Sequence, residues 1–159
     1  MNLTGIKKFP FHTFLLPAFF VLHVVNRYFR LLPTQTVIEF FLYYVLLAAL
    51  LLGTGKLMFK SLTKGGVWAT WLLIIFFFFG AIHDFLKAIP FIHIISSYTF
   101  LLPFLLICLF VFSLYCKKKK VDLDKTHKYL NTLFILLVSI DLILMLQKII
   151  ANEPENNFA

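Results

Sequence analysis

Charged residues make up only 14% of this 159-residue chain, and just seven of its side chains are acidic. A soluble domain carries about 25% charged residues, so an ordinary water-soluble globule is excluded. Cysteine is nearly absent: Cys108 and Cys116 are eight residues apart in one apolar run. On a helix that spacing is about 12 Å, too far for a disulfide, so no disulfide framework is expected and the pair says nothing about redox compartment. Cys116 abuts Lys117, a position where lipidation occurs in some membrane proteins, but a small buried residue is the simpler reading. Strand-type alternation and internal repeats are missing. So are a Gly-rich phosphate loop, a nucleophile elbow and an HExxH pair. No cofactor is therefore expected.

What is present is hydrophobic: 61% of residues, with 21 Phe. At about 20 residues per span, five helices would occupy about 100 positions and leave no room for a soluble catalytic domain. Hydropathy places them at about 11–29, 36–55, 67–86, 89–115 and 130–150, a five-helix transmembrane domain over 11–150 between an N-terminus at 1–10 and a tail at 151–159. The expected fold class is all-α, a polytopic transmembrane bundle. The basic start resembles a signal peptide, but no small-residue cleavage pattern follows Val25-Asn26-Arg27-Tyr28, so the first helix is read as retained. Pro17 and Pro103 mark kink sites, and Ala49-xxx-Gly53 is a small-residue pair that could pack helices. Asp141, deep in the last run, costs about 2.5–3.5 kcal/mol on insertion. The fourteen Leu, Ile, Phe and Val residues of that run offset it with roughly 4–8 kcal/mol.

The +8 net charge would suggest nucleic acid on a soluble domain. Here the basic residues sit between apolar runs, where they meet lipid headgroups, so membrane lipids are the expected partners and nucleic acid is not. Lys7, Lys8, Lys56, Lys60, Lys64, Lys117, Lys118, Lys119, Lys120, Lys125 and Lys128 fall on one side of a five-span topology. Arg27, Arg30, Lys87 and Lys148 fall on the other. Eleven against four puts the N-terminus in the cytoplasm and the C-terminus outside. Lys117 to Lys120 read as a lipid-surface cluster.

With that orientation, the polar residues concentrate in the outer half: His23, Asn26, Arg27, Glu39, His83, Asp84, His93 and Asp141. The inner half offers little beyond Thr54 and Ser113. Ionisable residues in spans usually pair inside the bundle. Arg27 is accordingly expected to pair with Glu39 or Asp84, and Asp141 with His23 or His83, around an outer pocket for a polar or anionic headgroup or an extracytoplasmic partner. For Arg30, Glu39 and Lys87, at helix ends, interfacial snorkelling is the simpler account. Adjacent helical residues such as His83 and Asp84 point about 100° apart, and the five His come from different segments, so a metal site is not expected.

The order Lys7-Lys8-Phe9-Pro10-Phe11-His12, then Phe14 to Leu22 with Pro17, Phe77-Phe78-Phe79-Gly80-Ala81-Ile82-His83-Asp84-Phe85-Leu86 and Tyr129-Leu130-Asn131 resembles the N-terminal membrane domain of bacterial sulfatase-like hydrolases and transferases of the alkaline phosphatase superfamily. The resemblance implies helices followed by an extracytoplasmic metal-dependent hydrolase domain. This sequence runs to Ala159, where that domain would begin, so no nucleophile or metal ligand is carried over. The expectation is a non-catalytic inner-membrane anchor or docking module, partnered by an extracytoplasmic hydrolase domain or another membrane protein. Two alternatives stand beside it: a small transporter or channel subunit lined by Asp141, His23 and Arg27, and a membrane-embedded enzyme acting on a lipid-linked substrate.

Overall fold

Pro10 and Pro33 lack an N–H to donate and so suit helix starts; both stand just before one. The computed structural model describes residues 9–29, 31–89, 97–118 and 122–151, and among these all regular structure is helical. The helices are α1 (His12–Arg27), α2 (Thr34–Phe59), α3 (Leu62–Lys87), α4 (Tyr98–Lys117) and α5 (Asp124–Ala151). Four of them, α2 to α5, are long and apolar enough to cross a membrane, which suggests a multi-pass membrane protein. The first is the departure from expectation. Its 16 residues span about 24 Å, short of the roughly 30 Å hydrocarbon core. The apolar run continues to Phe29, but Tyr28 leaves helical geometry at φ −112°, ψ 41°.

α1 is nevertheless central. It packs most extensively on α5, then on α2 and α3, while α4 packs on α3 alone to any extent. The core draws one side chain from each of four helices: Leu16, Ala48, Leu73 and Phe134. Outside it the molecule is apolar all round, with Leu57 and Ile150 each 81% exposed. A surface of that kind is too extensive for water and suits lipid. The starts of α1, α3 and α5 and the ends of α2 and α4 lie together, and this is the end that carries Lys56, Lys60, Lys64, Lys117, Lys118, Lys125 and Lys128.

The α2–α3 hairpin depends on glycine. A Cβ on Gly55 would lie 2.8 Å from Gly65 O, and one on Gly65 would lie 2.7 Å from Lys56 N, so the two backbones touch where they cross. Gly53 has open space around it and Ala49 is exposed, whereas Ala48, Leu52 and Gly55 are buried. The close-packed stripe is therefore turned away from the Ala49–Gly53 pair that spacing suggested. Between the helices Lys60 adopts a left-handed conformation, φ 52°, its N–H donating to Lys56 O at 2.9 Å. Ser61 opens α3 by accepting from the Lys64 N–H at 3.4 Å.

The remaining boundaries shift where hydropathy and hydrogen bonding part company. α5 begins at Asp124 rather than near 130, because a helical turn needs no apolar side chains. Asp122 accepts the Asp124 N–H at 2.9 Å, and Asp124 in the first turn complements the helix dipole. α4 begins at Tyr98 rather than near 89; residues 90–96, including His93, lie outside the described set.

Candidate functional site

At the end opposite the cluster of seven lysines, α1 and α5 bring His23, Asn26, Asp141 and Lys148 together. His23 and Asn26 are three apart and Asp141 and Lys148 seven apart, spacings that keep each pair on one helix face. Asn26 Nδ2 donates to the Asp141 main-chain carbonyl at 2.8 Å and to its Oδ1 at 3.4 Å. His23 Nδ1 stands 3.6 Å from Asp141 Oδ1. The Asn26 carbonyl, freed by the end of α1, accepts from Lys148 Nζ at 2.7 Å. Asp141 is 4% and Asn26 6% exposed, while the His23 side chain, at 59%, forms the open flank. Two acceptors are left over: Asp141 Oδ2 and Asn26 Oδ1 are buried without a hydrogen-bond partner among the described residues.

The other residues singled out in the sequence lie apart from this group. The Arg27 guanidinium sits over the Tyr28 ring at 5.8 Å, and Glu39 accepts from Gln35 Nε2 one turn away at 2.9 Å. Among the described residues no ion pair links Arg27 to Glu39 or Asp84, or His83 to Asp141. His83 instead meets Asp84 at 3.2 Å and stacks on Tyr98 of α4 with ring centroids 4.3 Å apart. Lys117 and Lys118 are exposed at the end of α4; Lys119 and Lys120, like His93, lie outside the described residues.

Sequence reasoning missed a second polar group, at the lysine-bearing end, where the bundle was expected to hold little polar beyond Thr54 and Ser113. His12, Thr13, Thr70 and His127 are buried there, and their hydrogen bonds run in one direction. Asn131 Oδ1 accepts from the His12 main-chain N–H at 2.8 Å, which turns the amide nitrogen toward Phe9 O at 3.3 Å and His127 Nε2 at 3.4 Å. An amide nitrogen only donates, so His127 Nε2 accepts and its Nδ1 carries the proton, donating to His12 Nε2 at 3.1 Å. His12 Nδ1–H then donates to Thr70 Oγ1 at 2.6 Å. The Thr70 hydroxyl passes to Thr13 Oγ1 at 3.2 Å, and Thr13 to the Gly66 carbonyl at 3.3 Å. Gly66 is what admits the N-terminal approach, since a Cβ there would collide with the Pro10 ring. The available signals were the i, i+4 pair His127/Asn131 and the threonine and glycine of α3 at helical spacing. They identify faces but not which faces meet.

These hydrogen bonds do not activate Thr70 as a nucleophile. A hydroxyl nucleophile needs a base that takes its proton; here the imidazole donates to Thr70, which is fully buried. Among the described residues no cluster of three His, Cys, Asp or Glu could hold a metal. Between the two polar groups the bundle is closed by Leu16, Ala48, Leu73 and Phe134. No family model, curated protein or solved structure matches the chain.

Proposed function

We propose that the chain is a five-span inner-membrane protein, a non-catalytic anchor and docking module similar to the membrane domain of sulfatase-like enzymes. In this reading its Asp141 group seats an ammonium at the extracytoplasmic face. Four long apolar helices, three of them packed around the shorter α1, support the anchor, and the eleven-to-four basic bias supports the orientation. The resemblance to the sulfatase-like family rests on the residues quoted for it.

The observation that carries the seat is the pair of orphan acceptors, Asp141 Oδ2 and Asn26 Oδ1. Buried acceptors left unpaired are costly, about 1–3 kcal/mol each, and what satisfies them is a donor. That selects an ammonium over a phosphate, and so the polar rather than the anionic of the headgroups the sequence left open. The exposed His23 side chain is the flank from which a ligand would approach. A transporter path is disfavoured by the apolar core between the two polar groups, and an enzyme by the full burial of Thr13 and Thr70, the hydroxyls nearest an imidazole.

The test is lipid retention from vesicles of mixed phosphatidylethanolamine and phosphatidylcholine, read by native mass spectrometry. A choline headgroup has no N–H to offer, so the wild type retains ethanolamine lipid preferentially and Asp141→Asn loses the preference. If a partner's lysine supplies the ammonium, lipid preference is absent, yet ethylammonium shifts the His23 ring signals in NMR spectra of the wild type and not of Asp141→Asn. Equal retention of both lipids together with no ethylammonium response contradicts the seat.

A further inference from the structure

α4 is fastened to α3 at its two ends and parted from it between them. At the lysine-bearing end Trp68 Nε1 donates to Ser113 Oγ at 2.8 Å, and Lys64 Nζ donates to the carbonyls of Cys116 at 3.2 Å and Lys118 at 2.8 Å. These are carbonyls a helix end leaves unpaired. At the other end Tyr98 stacks on His83 and Phe79. Between the fastenings lie two adjoining cavities of about 440 and 390 Å³ that share Leu106 and Leu109 as walls. The first is wholly apolar, with Leu72, Phe76 and Leu105 among its lining. The second opens toward Trp68, Ser113 and Lys117.

Three features specify an occupant. The polar atoms at the groove are already spent: Trp68 N–H on Ser113, and the Ser113 hydroxyl on Leu109 O at 2.7 Å. Water entering would find few hydrogen bonds, whereas hydrocarbon loses nothing. The groove's wall from Leu102 to Ser113 rises about 16 Å, close to the roughly 15 Å depth of one leaflet's hydrocarbon. At its mouth stands Lys117, whose ammonium has no ion-pair partner among the described residues, with Lys118 beside it.

We propose that the α3–α4 groove binds one acyl chain of an anionic phospholipid from the leaflet at the lysine-bearing end, with the lipid phosphate on Lys117. This rests on the membrane-spanning reading, and the test separates the two. Trp68 and Trp71 are the only tryptophans; Trp68 lines the groove and Trp71 is exposed beside it. In the full chain, Trp71→Phe reports on the groove and Trp68→Phe on the neighbouring lipid surface. The probes are phosphatidylcholine vesicles containing a minor fraction of phosphatidylglycerol, with bromine on the acyl chains of one lipid or the other.

Trp68 is expected to be quenched about fivefold more effectively by brominated phosphatidylglycerol than by brominated phosphatidylcholine at equal mole fraction, the preference one lysine confers near a membrane surface. Trp71 is expected to show little preference. In the Trp71→Phe background Lys117→Gln removes the preference, and Leu109→Phe, which fills the groove, lowers Trp68 quenching by both lipids at unchanged helix content. Equal quenching of Trp68 by the two lipids overturns the proposal. So does a preference untouched by both substitutions, which would be general enrichment around the lysines. Trp68 shielded from both lipids while Trp71 is quenched also overturns it, since another protein surface then covers the groove. If neither tryptophan is quenched by either lipid, the chain is not in the bilayer and the membrane reading itself fails.

Discussion

Adding one methyl group at Gly65 tests the α2–α3 crossing. Its Cβ would lie 2.7 Å from Lys56 N and 2.8 Å from Gly55 C, both main-chain atoms that cannot rotate away. Ordinary contact begins near 3.5 Å, so the helices must part by roughly 0.8 Å. Overpacking of that kind costs about 1–3 kcal/mol. Exchanging glycine for alanine within a helix also returns about 1 kcal/mol of propensity, which obscures the cost in a single variant. Gly53→Ala supplies the correction: it lies in the same hairpin and its Cβ meets nothing within 4 Å. The difference between the two variants is therefore the steric term alone. Both are measured by reversible unfolding in mixed micelles, followed by far-ultraviolet circular dichroism. Gly65→Ala should be less stable than Gly53→Ala by about 1–3 kcal/mol. Equal stabilities would mean that the backbones do not touch there, and the arrangement of α2 on α3 would have to be redrawn.

Two further outcomes follow from local geometry. Lys60→Gly relieves a left-handed φ of 52° and should raise stability in the same unfolding assay by about 1 kcal/mol; a loss of stability would show that the lysine side chain contributes more than its backbone costs. The one-directional chain places the ring proton of both His12 and His127 on Nδ1. Nitrogen NMR of the imidazoles should show that tautomer for both, and an Nε2–H tautomer at either ring would contradict the amide orientation assigned to Asn131.

The helical class was legible because lipid-facing helices must be apolar on nearly every side, and runs such as those within α2 and α5 announce this directly. Asp141 stood out for the converse reason, as a carboxylate in an otherwise apolar run. Depth alone grouped His23 and Asn26 with it in the outer half, but left His23 and His83 as alternative partners and gave Asn26 none. What was not legible was contact between distant faces. His12 and His127 are 115 residues apart, and a histidine near a span's end reads as interfacial until its partner is known. The choice between Gly53 and Gly55 fails for a similar reason. Two residues apart on a helix they point about 200° apart, and only the position of Gly65 decides which one the crossing uses. The length of α1 was overread because hydropathy continues through Tyr28 and Phe29 after the helix has ended at Arg27. Its burial among three helices relieves it of the need to face lipid along its length.

Whether α1 crosses the bilayer with the other four helices is the claim on which orientation, seat and anchor depend, and counting termini decides it. Reporters that are active only in the cytoplasm, fused separately before Met1 and after Ala159, report the two sides directly. Five spans, with the lysine-bearing end inside, predict an active reporter at Met1 and a silent one at Ala159. Both reporters active, or both silent, would put the termini on one side, leaving four spans and contradicting the account.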